Sequence, residues 1–256
     1  ARIPGKTGLC AERILTSTTD ARLIALDAAS GRPCPDFGKR GTVSLLTGLT
    51  KAPVGFYAVT SAPTVVRGNV VIGGWVSDGQ FWGEPSGVVR AFNVETGALS
   101  WAWDIGRPDR QTLPPEGEFY THSTPNAWAP FSVDEELGLV YVPTGNPAVD
   151  YFGGRRRDFD EKFGSALVAI QADTGRTAWA FQTVHHDLWD WDVGSQPTLL
   201  DLPTPGGVRK AVIQPTKRGE IFILDRASGK PIFPVAERPV PQDGAVPEER
   251  LSPTQP

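Results

Sequence analysis

Four stretches of this chain repeat one alternation of apolar and polar positions. They are RLIALDAASGR (Arg22 to Arg32), VVRAFNVETGALSWAW (Val88 to Trp103), ALVAIQADTGRTAWAF (Ala166 to Phe181) and EIFILDRASGKPIF (Glu220 to Phe233). Each runs from an apolar strand into a polar tetrad closed by Gly, and two continue into a second apolar run that carries Trp. Such a pattern predicts a hairpin whose turn needs small polar residues and a Gly that can take positive φ. The closing glycines at 31, 97, 175 and 229 are too widely and unevenly spaced for a short solenoid repeat. Further β-like runs lie between the hairpins: Ala62 to Val76, Glu136 to Thr144, Gln196 to Leu202 and Arg209 to Leu224. A hairpin plus two more strands makes a four-stranded unit, and radial repetition of such units protects sheet edges in a propeller. The expectation is an all-β protein with about four such units.

The long intervals between strands, Trp75 to Glu84, Asp104 to Pro130 and Asn146 to Lys162, are the natural places for a site. The segment from Pro234 to Pro256 reads as a loop excursion or a frayed end, and residues 1–256 as one domain. With 28 Gly and 24 Pro among 256 residues, the composition favours many turns and argues against long helices. A formal charge of −4, with no basic run beyond Arg155 to Arg157, argues against a nucleic-acid partner. No apolar run approaches the ~18 residues a membrane helix needs. Cys10 and Cys34 lack the spacing of a zinc or CxxC redox site, and fit either a structural disulfide or two buried thiols.

Candidate chemistry concentrates in TVHHDLWDWD (Thr183 to Asp192), where Asp187, Asp190 and Asp192 sit among Trp189 and Trp191. Carboxylates packed among indoles can have raised pKa values and act as bases, or be neutralised by a hard cation. The plainer alternative is that they cap turns while the two indoles fill the interfaces between sheets. His185 and His186 would point oppositely if they lay on a strand, so one at most would line a pocket. Trp128, in the Pro-rich loop Phe119 to Phe131 and preceded by Asn126, can form the flat floor of a pocket or simply pack in the core. Asn146 offers an amide oxygen after a strand, and Lys217 an ammonium that is either a solvated hairpin charge or is directed at an electron-rich oxygen. No GxSxG, P-loop or GxGxxG motif is present.

Taken in order, SAPTVV, SGVVRAF, TPNAWAPFSVDEELGLVYVPTGNP, TVHHDLWDWD, QPTLLDL, QPTKRGEIFILD and SPTQP resemble the membrane-bound quinoprotein glucose dehydrogenase family with its quinate and polyol relatives. The resemblance implies an eight-bladed propeller of which this chain supplies about four blades, so that remaining blades or a partner chain complete it. It implies pyrroloquinoline quinone and a calcium or magnesium ion as cofactors. It also implies oxidation of a sugar, polyol or cyclic-acid substrate, glucose first, with electrons passed to ubiquinone on the periplasmic side of the inner membrane. Carried over by position, Asp190 is the general base and touches the metal, Lys217 points at the quinone oxygen, and Trp128 stacks on the cofactor. Asn146 and Glu84 are metal ligands, Arg90 lies near the cofactor, and Asp78 lies near the metal. Beside Asp78, a position that often carries Asn in the glucose enzymes is Gly79 here. The competing expectation is a propeller that binds or scaffolds without a cofactor, and the co-occurrence of Trp128, Asp190 and Lys217 argues against it.

Overall fold

The structure, a computed structural model, describes residues 1–256. It is almost entirely β. The first sheet contains β1 (Arg13–Ser17), β2 (Arg22–Asp27) and β3 (Thr42–Ser44). After β4 (Tyr57–Ala58) comes a second sheet of β5 (Thr64–Val66), β6 (Asn69–Ile72), β8 (Val89–Asn93) and β9 (Leu99–Trp103), while β7 (Trp75–Val76) pairs with β4. The third sheet joins β10 (Ser132–Asp134), β11 (Leu139–Pro143), β12 (Ala166–Gln171) and β13 (Thr177–Gln182), with the short helix α1 (Asp158–Phe163) before β12. The fourth holds β14 (Thr198–Thr204), β15 (Gly207–Pro215) and β16 (Ile221–Asp225). Every named strand pair is antiparallel.

Each of the four predicted hairpins falls in its own sheet, and the four turns are built alike. Gly31, Gly97, Gly175 and Gly229 have φ of 69°, 69°, 70° and 69°, and each donates its N–H to the carbonyl four residues back. The expected four strands per unit are present in the second and third sheets only. In the first sheet β3 takes the place beside β2 beyond the turn, after the isolated bridge Leu26–Pro33, and the strand before β1 is reduced to the isolated bridge Arg2–Glu12. In the fourth sheet Pro231 follows the turn, and the would-be fourth strand shrinks to the isolated bridge Leu224–Pro231. A proline there has no N–H to give the ladder.

The sheets stack face to face, which explains why β11 is buried on both sides. Val140 and Val142 join a core with Val71, Val89 and Ala91 of the second sheet, whereas Leu139 and Tyr141 turn the other way to Val212, Phe222 and Leu224 of the fourth. A third cluster links Leu23 and Ala25 of the first sheet to Val70, Ile72 and Phe92. Tryptophans lock successive sheets. Trp101, from β9, lies over Gly175 of the next sheet's turn and donates its Nε1–H to the Ala172 carbonyl at 2.7 Å. Trp179, from β13, repeats this one sheet further on, over Gly229 and onto the Arg226 carbonyl at 3.1 Å. A turn without a Cβ is what lets an indole approach so closely.

Cys10 and Cys34 are joined in a disulfide, with Cα atoms 5.7 Å apart. After Pro234 the chain leaves the sheets and returns: β17 (Arg238–Pro239) pairs with β18 (Thr254–Gln255), and Gln255 exchanges hydrogen bonds with the backbone of His185.

Candidate functional site

The segment Thr183–Asp192 leaves β13 and crosses the end of the third sheet before β14 begins. Asp190 takes φ +60°, an uncommon value for a residue with a Cβ. Across from it, the turn Thr216–Gly219 between β15 and β16 brings up Lys217. The Lys217 ammonium donates to the Asp190 carbonyl at 2.9 Å and lies 3.4 Å from both Asp190 Oδ2 and Asp192 Oδ2. Trp128 arrives from a third loop. Its Nε1–H donates to Asp192 Oδ2 at 3.0 Å, its ring centroid is 5.9 Å from Lys217 Nζ, and its edge packs on Gly194. Asp190, Lys217 and Trp128 thus converge from three separate loops, with Asp192 joining the lysine to the indole.

Behind them lies a set of oxygens with few donors. Asn146, after β11, donates its backbone N–H to Asp192 Oδ1 at 2.6 Å. Its Nδ2 donates to the carbonyls of Asp150 at 3.0 Å and Asp187 at 3.2 Å. Those bonds fix the amide, so that Oδ1 is the face left over, and it is buried without a partner. Glu84 accepts from the N–H groups of Gln80 and Phe81 on Oε1, while its buried Oε2 has no donor. Asn126 gives its Nδ2 to Asp78 and leaves Oδ1 unpartnered, and Asp150 Oδ1 is likewise unpartnered. Gly145 closes the back of this set: a Cβ there would stand 2.6 Å from Asn126 Oδ1 and 2.7 Å from Asp192 Oδ1. A Cβ at Gly79 would stand 3.2 Å from Asp150 Oδ2.

The electrostatics follow from crowding. Burial, with Asp192 and Asp190 nearby, pushes the Asp78 carboxyl up to about 7. Burial, Asp78, Asp190 and Asp192 push Asp150 up to about 8. Asp190 is pushed up to about 6 by burial and Asp192, with Lys217 pulling the other way. Burial also raises Glu84. Burial pulls the Lys217 ammonium down, but Asp192 and Asp190 outweigh it and hold it above its ordinary value. The one ammonium is engaged with Asp190 and Asp192, which leaves Asp78, Asp150 and Glu84 without it, and buried carboxylates without counter-charge are expensive. Convergent, donor-poor carboxylate and amide oxygens are the ligand set of a hard divalent cation.

Of the residues expected from sequence, Asp190, Lys217, Trp128, Asn146, Glu84 and Asp78 thus fall in one region. Arg90 does not join them. It is buried under Phe92 and Tyr120, and donates to the carbonyls of Leu45 and Thr47 and to Tyr57, bracing the loop after the first sheet. The histidines are not on a strand. His186 is held between Glu161 at 2.7 Å and Glu249 at 2.9 Å, and His185 between Gln182 and Glu237. Trp189, expected in the plainer reading to fill an interface, is 50% exposed. A separate grouping of Cys10, Cys34 and Asp36 offers no metal site, because both sulfurs are in the disulfide and Asp36 is engaged by Lys6 and Arg13. Sequence reasoning passed over Asp150 and gave Asn126 no role. Asp150 follows Asn146 by four residues in a loop already marked as long, which was the only available signal.

Residues 2–256 match the family described as PQQ: glucose/ethanol/alcohol dehydrogenase, beta-propeller domain. The chain is 49% identical over 248 residues to the glycerol dehydrogenase large subunit of Gluconobacter thailandicus, covering 96% of this chain and 34% of that protein. It is 41% identical over 247 residues to the quinoprotein glucose dehydrogenase of Escherichia coli, covering 96% of this chain and 31% of that protein. Among solved structures, the quinohemoprotein alcohol dehydrogenase of Comamonas testosteroni matches with a TM-score of 0.66 and 25% identity, over 94% of this chain and 36% of that one. The chain spans about a third of the length of the curated relatives it matches. With its stacked β-sheets and a match along nearly its whole length, the chain belongs to the PQQ-dependent quinoprotein dehydrogenase family.

Proposed function

We propose that the chain forms about four blades of an eight-bladed propeller whose completed ring oxidises a polyol or sugar hydroxyl, with Asp190 as the base. The observation that carries this reading is the convergence of Lys217, Asp190 and Trp128 beside the buried, donor-poor oxygens of Asn146, Glu84, Asn126 and Asp150. A scaffold has no use for unpaired buried carboxylates, each of which costs stability. The residues present fit a divalent cation and a quinone: Asn146, Glu84 and Asp190 would hold calcium or magnesium, with Asp78 beside it, and Trp128 would offer a flat indole. Bound there, pyrroloquinoline quinone would supply the two-electron acceptor and the cation a Lewis acid.

The chain's own residues then divide the work. Asp190 takes the hydroxyl proton on its carboxylate, which is raised toward neutrality yet kept ionisable by Lys217. Lys217 holds its proton, so its positive charge is available wherever negative charge grows on an acceptor oxygen. Asp192 keeps the indole of Trp128 and the backbone of Asn146 in register. The relatives named glycerol dehydrogenase are 49% and 50% identical and those named glucose dehydrogenase 41% to 44%, which moves a polyol ahead of the glucose first expected. Ubiquinone as acceptor and a periplasmic location remain part of the proposal; no helix of this chain is long and apolar enough to cross a membrane. In the full-length protein, Asp190→Asn should keep quinone binding and lose turnover by at least the ~10²–10⁴-fold that a general base contributes. Wild-type turnover in that variant would contradict the role.

A further inference from the structure

We propose that Asp187, which touches neither Lys217 nor Trp128, is the positioning residue that fixes both the carboxylate of Asp190 and the amide of Asn146. The inference rests on the reading of Asp190 as base and Asn146 as cation ligand. Asp187 is 3% exposed, and each of its acceptor atoms is committed. Oδ1 accepts the N–H of Trp189 at 2.9 Å, and Oδ2 accepts the N–H of Trp191 at 2.7 Å and the hydroxyl of Ser165 at 2.6 Å. Its carbonyl accepts from Asn146 Nδ2 at 3.2 Å.

The two backbone bonds bracket Asp190. They tie the residue before it and the residue after it to one rigid carboxylate, and between them Asp190 is held at φ +60°. Residues with a Cβ are uncommon in that region, Asp less so than most, and the two bonds select it here. The Ser165 hydroxyl anchors the same carboxylate to a buried corner before β12, where Ser165 also donates its N–H to the Gly145 carbonyl next to Asn146. Asp187 therefore couples the loop that presents the base to the strand end that presents the amide oxygen, by its carboxylate through Ser165 and by its own backbone carbonyl. Only a carboxylate serves, because three donors arrive and none of its atoms donates. An asparagine would set an NH₂ against at least one incoming N–H or O–H.

The test uses the full-length protein, comparing wild type with Asp187→Asn, Ser165→Ala and Asp190→Asn. Cation affinity is read on the apoprotein by tryptophan-sensitised Tb³⁺ luminescence, which needs no quinone and no turnover. Turnover of a polyol with an artificial electron acceptor is read on the reconstituted enzyme. Asp187→Asn should weaken Tb³⁺ binding by about 10–100-fold, as loss of a ligand-orienting partner does. It should also lower kcat by on the order of 10²-fold, the cost of an ångström-scale misplacement, with KM near wild type. Ser165→Ala, which leaves the loop amides bonded, should fall between the two on both readouts. A residue that merely supported the fold would lower Tm and leave the Tb³⁺ affinity of the folded fraction unchanged. Wild-type kcat and Tb³⁺ affinity in Asp187→Asn, beside an inactive Asp190→Asn, would overturn the proposal and leave the base intact. An active Asp190→Asn would instead overturn the base, and with it the turnover half of the proposal, while the Tb³⁺ titration still decides the Asn146 half. If Asp187→Asn fails to fold, Ser165→Ala decides: wild-type values on both readouts would overturn the proposal.

Discussion

Replacing the turn glycines by alanine separates two costs that coincide in this fold. Gly31 and Gly175 have the same φ within a degree, but a Cβ at Gly31 meets nothing within 4 Å, whereas one at Gly175 would stand 2.7 Å from the Trp101 ring. Gly31→Ala therefore pays only for a Cβ in the left-handed region, about 1–2 kcal/mol, less the ~0.4–1 kcal/mol that a stiffer unfolded chain returns. Its net cost should be about 1 kcal/mol. Gly175→Ala pays the same and in addition must displace an indole that is 1% exposed and tied to the Ala172 carbonyl, so it cannot retreat. Overpacking of this kind costs about 1–3 kcal/mol, which puts the total at about 2–4 kcal/mol. Urea unfolding monitored by tryptophan fluorescence measures both variants, at about 2–4 °C of Tm per kcal/mol if calorimetry is used instead. Equal destabilisation by the two alanines would refute the claim that indole-on-glycine contacts lock the sheets.

Reducing the Cys10–Cys34 bridge, or replacing both cysteines by serine, should cost about 3–4 kcal/mol, as expected from closing a loop of this length; an unchanged unfolding midpoint would contradict that. The carboxyls of Asp190, Asp78 and Asp150 hold protons more tightly in the folded state, at about 6, 7 and 8. Their contribution is then complete below about pH 4 and is lost as pH rises through those values. In chelator, Tm should therefore fall between pH 5 and pH 8, and added calcium should restore more at pH 8 than at pH 5; a Tm that rises over that range in chelator would contradict the crowded-carboxylate account. Glu161 and Glu249, held low despite their burial by hydrogen bonds from His186, act in the opposite sense and at lower pH, where their stabilisation is lost as they protonate.

Much of the fold was legible because it is local. The tetrad and its Gly announce the turn, and all four turns form as expected. Where the strand after the turn failed, in the fourth sheet, the reason was also in the sequence: Pro231 stands just after the turn, and the repeat pattern hid its missing N–H. What the pattern could not give was the landing point of each Trp. Alternation places Trp101 and Trp179 on strands, but not over a glycine some 74 and 50 positions ahead. The site divides in the same way. Asp190, Lys217 and Trp128 lie on three loops, and no spacing rule connects them; the family resemblance named them together. Asp150 and Asn126 enter through contacts made only after the sheets have stacked, as do the bonds of the Arg90 guanidinium to the Leu45 and Thr47 carbonyls. The sequence allows at most one of His185 and His186 to line a pocket, and His186 is a buried clasp between a helix and the returning tail.

The central claim is that the oxygens around Asp190 hold a divalent cation beside a quinone. It is tested most directly by titrating pyrroloquinoline quinone into the full-length apoprotein and following the quinone absorbance, with calcium, with chelator, and with calcium in the Asn146→Ala variant. The account predicts saturable binding that requires calcium and is lost or strongly weakened in Asn146→Ala. Binding that is equally tight in chelator and in that variant, or no binding with calcium present, would contradict it.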